Sequence, residues 1–205
     1  MSAASPAPTR RERKQRATRE GLLTAALSLF AERGYENTTM DDIAMKADVA
    51  RATAFNYFRH KEDFLLAWAE RRRTVMADLL AREQATSVDV WDRLRHALMN
   101  LCDNLEADRT SNQALTRAWF QAGGPLLPDA WSTAKVFADT LRYAQSRGQL
   151  HPGVDADSAG RVLLDAYLGT LVRWATHHDQ GPLAPSLRDQ LGTVLDILIN
   201  GLRSA

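Results

Sequence analysis

A single cysteine, Cys102, occurs in the 205 residues. That excludes an intramolecular disulfide and any thiolate cluster for a metal. Its setting, "LMNLCDNL", places it among apolar residues, where a small buried hydrophobe is expected. No apolar run reaches the roughly 18 residues that a membrane-spanning helix needs. The beginning, "MSAASPAPTRRERKQRATRE", lacks the apolar block of a secretory leader, so a cytoplasmic protein without a membrane partner is expected. There is no glycine-rich phosphate loop, no paired-carboxylate motif and no set of nucleophile, base and orienting group, and the expectation is that the chain is not an enzyme. The adjacent His177 and His178 would point about 100° apart on a helix, too far to chelate one ion together, and His60 reads as a solvated loop residue. No metal site and no cofactor are expected. Strand-like alternation and internal repeats are missing as well, leaving helices as the only regular element the pattern supports.

What is present is charge with an uneven distribution. The net charge is +1, yet residues 1–75 hold 14 Lys and Arg against 10 Asp and Glu, while residues 76–205 hold 12 against 15. Most of the N-terminal excess is Arg10, Arg11, Arg13, Lys14 and Arg16, a run that suits either a solvated arm or contact with phosphates. Residues 1–9, with Pro6 and Pro8, read as disordered.

Apolar spacing and breakers divide the rest into about nine helices. The first runs over about 13–33, with Leu22, Ala25, Ala26, Leu29 and Phe30 on one stripe, and Gly34 ends it. Thr39 can cap the next helix through the Asp42 N–H, and Met40, Ile43, Ala44 and Ala47 form its apolar face. Asp48 and Val49 make a turn, because Asp tolerates left-handed backbone. A helix over about 51–58 follows, with Ala54 and Phe58 facing inward. Further helices are expected at about 61–82, 88–106, 111–121, 129–148, 156–178 and 186–202, separated by "GGPLLP", "HPGVD" and "GPLAP". The fold class is all-α. Residues 1–60 are expected to form an arm and a three-helix helix-turn-helix DNA-binding domain, and residues 61–205 a helical effector-binding and dimerisation domain.

A short second helix after a tight turn can enter the major groove, where each base pair shows a distinct donor and acceptor pattern. Arg51 can fork onto guanine O6 and N7, Asn56 can pair with adenine N6 and N7, and Ala52 can touch a thymine methyl. Tyr57, Thr39 and Lys61 offer donors around the same helix for phosphates. The competing reading, a helical small-molecule-binding or enzymatic protein with a purely structural N-terminal bundle, leaves these groups merely solvated.

The stretch "AALSLFAERGYENTTMDDIAMKADVARATAFNYFRHKEDFLLA" resembles the DNA-binding domain of TetR-family transcriptional regulators, over roughly a quarter of the chain. It has the family's Gly-aromatic, Thr-Thr, Ile-Ala, turn, Thr-x-aromatic-x-aromatic-Phe and Lys-Glu-x-Leu-Leu progression. The resemblance implies that Thr39, Tyr57 and Lys61 hold phosphates and that Arg51, Ala52, Thr53 and Asn56 face bases or the groove wall. Departures matter too. Ala50 stands where a capping Ser is common, which costs the third helix about 1 kcal/mol. Asp48 replaces a turn Gly, Ala52 a frequent Gly and Ala54 a Leu, and Phe55 lacks the hydroxyl of the usual Tyr.

Two C-terminal helices carry apolar stripes, Leu163, Tyr167 and Leu171 on one and Leu191, Leu195 and Leu198 on the other. Packed against their copies in a second subunit, they would close a two-fold homodimer, as the resemblance also implies. A dimer sets two recognition helices about 34 Å apart on double-stranded DNA, which suits a palindromic operator. By the same resemblance, aromatic and leucine residues between these parts would line a pocket for a small hydrophobic or amphipathic effector, with Trp119, Phe120 and Tyr167 as its candidate walls. The function expected is therefore a ligand-responsive transcriptional regulator, a repressor released from DNA by its effector.

Overall fold

Thr9 opens the first helix with a capping box: its hydroxyl accepts the Glu12 N–H, and the Glu12 carboxylate accepts the Thr9 N–H. The structure, a computed structural model, describes residues 9–83, 89–124, 128–176 and 185–203. The expectations for residues 1–8, for His177 and His178, and for the middles of two breaker clusters lie outside those residues. Among the described residues there are nine α-helices: α1 Arg10–Arg33, α2 Met40–Lys46, α3 Arg51–Tyr57, α4 Glu62–Glu83, α5 Val90–Glu106, α6 Arg109–Gln121, α7 Pro128–Ser146, α8 Ala156–Thr176 and α9 Leu187–Leu202.

The all-α expectation holds, with shifts at the ends that capping explains. α1 starts about three residues before the expected residue 13, because the Thr9 box carries the basic run into the helix. Arg10, Arg11, Arg13, Lys14 and Arg16 are all exposed on it. α5 starts at Val90 because the Asp89 carboxylate accepts the Trp91 and Asp92 N–H groups. α6 starts at Arg109 because Asp108 caps Ser111. α7 stops at Ser146 before Gly148, which takes φ +68°.

Two hydrophobic cores meet within α4. The first gathers Leu22, Leu29 and Phe30 of α1, Ile43 of α2, Ala54 and Phe58, with Phe64, Leu65 and Trp68 from the start of α4. Phe58 stacks on Phe64 with ring centroids 4.0 Å apart, and Phe30 meets Phe64 edge-on at 6.4 Å. Leu115, Ala118 and Trp119 of α6 join the same core. The second core takes Met76 and Leu80 from further along α4, together with Trp91, Leu94, Phe137, Leu141, Leu163, Leu171, Trp174, Leu191 and Leu195. Several polar groups are paired across it: Glu106 accepts from Trp174 Nε1 at 3.0 Å and from the Leu187 N–H at 2.6 Å, and Gln113 Nε2 donates to the Trp174 carbonyl at 2.7 Å, whereas the buried Arg93 leaves Nε and Nη1 without a hydrogen bond and lies 4.7 Å from the Tyr143 ring centroid. α7 and α8 approach so closely at Gly160 that a Cβ there would lie 2.8 Å from the Ala138 nitrogen.

Candidate nucleic-acid interface and effector cavity

The interface begins with the cap of α2. Thr39 accepts the Asp42 N–H at 3.1 Å, and the Asp42 carboxylate takes both the Thr39 N–H at 2.8 Å and its hydroxyl proton at 2.6 Å. The Thr39 hydroxyl bond, then the N–H bond, holds the Asp42 carboxyl below its ordinary value. α2 ends in a left-handed residue, Asp48 at φ +53°, with the Val49 N–H returning to the Ala44 carbonyl at 3.0 Å. That closure turns the chain sharply into α3.

α3 is seated by Ala54 and Phe58, both buried, and its Ala50 start makes no side-chain cap bond. The opposite face presents Arg51, Ala52, Phe55 and Asn56 to solvent, while Thr53 and Tyr57 are half-buried at its flanks. Besides Thr39, two further DNA candidates are already engaged. Arg51 Nη1 binds Asp41 Oδ2 of α2 at 3.0 Å, and its guanidinium lies 5.4 Å from the Phe55 ring centroid. Lys61 Nζ donates to the Tyr35 carbonyl at 2.8 Å and sits 4.4 Å from the Tyr35 ring centroid. Sequence reading missed Asp41 as the residue that orients Arg51. Asp41 lies ten positions earlier, in the first turn of the helix that precedes the turn.

A second site lies between α4 and α8. A cavity of about 60 Å³ that opens to solvent is walled by Trp68, Met76, Leu101, Leu164, Leu168 and Leu171. Trp119 and Tyr167 line it as the sequence suggested; Phe120 does not, and packs edge-on against Trp119 at 5.0 Å instead. The residue that sequence reading missed is Arg72. Its Nη2 donates to the Tyr167 hydroxyl at 2.7 Å, and its guanidinium sits 4.7 Å from the Trp68 ring centroid. It hid in the charge run "ERRRT", and only its position four residues after Trp68 marks it as facing inward.

Five of the six residues expected at a dimer interface are buried in the chain's own core: Leu163, Tyr167, Leu171, Leu191 and Leu195. Only Leu198 is partly exposed. Each stripe was drawn on the apolar face of highest density, which a helix turns toward its own core first. The apolar groups that α8 and α9 leave outside are Val162, 48% exposed, and Ile197, 69% exposed, flanked by the partly exposed Ala166, Val172, Val194 and Leu198.

Comparison with known proteins places this architecture. Residues 22–68 match the family described as bacterial regulatory proteins, tetR family. The chain is 32% identical over 147 residues to the HTH-type transcriptional regulator YvkB of Bacillus subtilis, covering 70% of this chain and 76% of that protein. The chain belongs to the TetR family. It is a DNA-binding transcriptional regulator, and the matched segment runs from Leu22 of α1 through the turn and α3 to Trp68 of α4. Similarity beyond the TetR DNA-binding segment extends over most of the chain. The HTH-type transcriptional repressor KstR of Mycobacterium tuberculosis is 25% identical over 191 residues, 93% of this chain and 84% of its own length. Thermus thermophilus FadR, a TetR-family repressor solved in complex with lauroyl-CoA, superposes with a TM-score of 0.71 at 26% identity, covering 91% of this chain and 97% of FadR. Among the described residues no helix is long and apolar enough to cross a membrane, and no cluster of three or more potential metal ligands occurs.

Proposed function

We propose that this TetR-family protein is a ligand-responsive repressor that grips a near-palindromic operator as a homodimer. Residues up to the start of α4 would form the DNA-binding part and the remaining helices the effector-binding and dimerisation part. The observation that carries the DNA reading is the division of α3: Ala54 and Phe58 anchor it in the first core, while Arg51, held by Asp41, and Ala52 and Asn56 are exposed on the opposite face. In this reading those three contact base edges, and Thr53 lies against the groove wall. Thr39, Tyr57 and Lys61 position the module on phosphates, Lys61 after exchanging the Tyr35 carbonyl for a phosphate oxygen. The exposed basic residues at the start of α1 add charge that follows the backbone. Val162, Ile197 and their apolar neighbours supply the two-fold contact in place of the buried stripes.

The cavity between α4 and α8 supports effector control, since its walls include Trp68 of the first core and Met76 of the second. An effector that fits one arrangement of α4 better than another shifts the population of DNA-competent dimers by that difference in affinity. Gel-shift titration with fragments upstream of the protein's own gene tests the proposal. The expected result is a salt-sensitive complex with one fragment, occupied by two chains per site. Failure of every fragment to form a sequence-preferring complex would overturn it.

A further inference from the structure

Beside the paired Glu70 and Arg73 and the Thr133 hydroxyl, three residues that line the α4–α8 cavity, Arg72, Tyr167 and Trp119, carry hydrogen-bond donors that the chain leaves wholly or partly unmet. Arg72 has no carboxylate partner among the described residues; one N–H goes to the Tyr167 oxygen, and the rest of the guanidinium lies over Trp68. Tyr167 accepts that bond, and no acceptor among the described residues takes its own proton. Trp119 is only 8% exposed, and its indole N–H, although buried, has no partner. The carboxylate that lines the cavity, Glu70, is bound by Arg73. Buried donors left without acceptors are unfavourable, and a half-buried guanidinium without a counter-charge most of all.

We propose that this cavity takes an apolar molecule bearing one carboxylate head, with Arg72 and Tyr167 donating to the carboxylate and the Leu164, Leu168 and Leu171 wall covering the apolar body. This assignment rests on the reading of the cavity as the effector site and names the chemistry of its ligand. A carboxylate supplies two acceptor oxygens and a negative charge, matching both the guanidinium and the phenol O–H. Burial raises the Tyr167 phenol above its ordinary value, with Arg72 pulling the other way, so the O–H remains a donor at neutral pH. An alcohol satisfies one donor and leaves the charge unmet. A quaternary ammonium meets a like charge. Because Arg72 belongs to α4 and Tyr167 to α8, the head group enters at the hydrogen bond that joins the two helices.

Sodium decanoate, 1-decanol and decyltrimethylammonium bromide, each below its micellar range, titrated by calorimetry into the full-length protein, test the assignment. Decanoate is expected to bind about tenfold or more tighter than decanol, and the ammonium more weakly than either. R72Q should collapse the decanoate preference while leaving decanol binding in place, and Y167F should reduce it several-fold. Absence of decanoate binding, equal binding of decanoate and decanol, or a preference that survives R72Q would overturn the proposal. Should R72Q fail to fold by circular dichroism, Y167F decides alone, and an unchanged ratio there overturns it. DNA-binding anisotropy separates this assignment from the effector reading. Decanoate bound with the expected preference but without weakening the DNA complex supports the head-group assignment and removes effector control. Equal release of DNA by decanoate and decanol at equal occupancy keeps effector control and overturns the head-group assignment.

Discussion

Asp41 of α2 holds Arg51 of α3 by a 3.0 Å ion pair across the turn. Both partners are largely exposed, so the pair contributes little to stability. Its effect is on placement: in the proposed reading it fixes where the guanidinium sits before a base takes the place of the carboxylate. Arg51→Ala is expected to cost about 1–3 kcal/mol on the preferred sequence and to relax the choice at one base pair. Asp41→Ala should leave that choice in place but alter affinity on all sequences by less. Competition gel shifts with single-base operator variants check both, and equal losses on every variant for Arg51→Ala would remove its base-reading role.

Lys61 should behave differently. Lys61→Ala is expected to weaken all sequences alike and to lower the slope of log K against log salt by about 1. Anisotropy titrations at several salt concentrations read the slope directly. The same mutation also removes the bond to the Tyr35 carbonyl, so a thermal melt should accompany it.

The outer face of α8 and α9 separates assembly from folding. Ile197→Asp places a charge on an exposed position and should leave the protomer folded while shifting sedimentation toward the monomer. Leu195→Ala, two residues away and buried, should instead cost about 2–5 kcal/mol of protomer stability. An Ile197→Asp protein that sediments as a dimer like the parent would exclude this face from the interface.

Gly160 is a tight point of the α7–α8 contact. Its hypothetical Cβ would meet main-chain atoms of Ala134 and Ala138, which cannot swing aside as a side chain can. Gly160→Ala should therefore destabilise the fold by about 1–3 kcal/mol despite the better helix propensity of Ala. Urea unfolding at unchanged m-value measures it.

Burial first, and then the Asp103 charge, pushes the Cys102 thiol up from 9.0 to about 12. The native chain thus keeps a proton that the unfolded chain gives up, and this contribution to stability is complete below pH 9 and is lost as pH rises toward 12. Alkylation by iodoacetamide at pH 8 should be slow in the native protein and fast in urea. Rapid native alkylation would contradict the buried setting.

Much of the DNA-binding half was legible in the residue order because its signals are local. Thr39, Gly34, Asp48, Ala54 and Phe58 each act within a few positions of themselves, through a cap, a left-handed residue or an inward step of four. The cavity was less so. Trp119 and Tyr167 were named through the family resemblance, but Phe120 is their equal in composition and differs only in which neighbour α6 turns it toward. The interface stripes failed for a related reason: periodicity identifies an apolar face without saying whether its cover comes from the same chain. Arg72 and Asp41 were harder to find, because a charge in a polar run shows its partner only once helices far apart in sequence, or a turn apart in space, have been brought together.

α4 threads both cores as one uninterrupted rod, Trp68 clamped at one end and Met76 at the other. Between those clamps lie only about two helical turns, too short a span to bend or to absorb a displacement by flexing. In the proposed reading, a push applied at Arg72 would be delivered as rigid motion of Phe64 and Leu65, and with them of the aromatic stack under α3. Sensing and gripping would then be joined by the stiffness of a single piece of backbone.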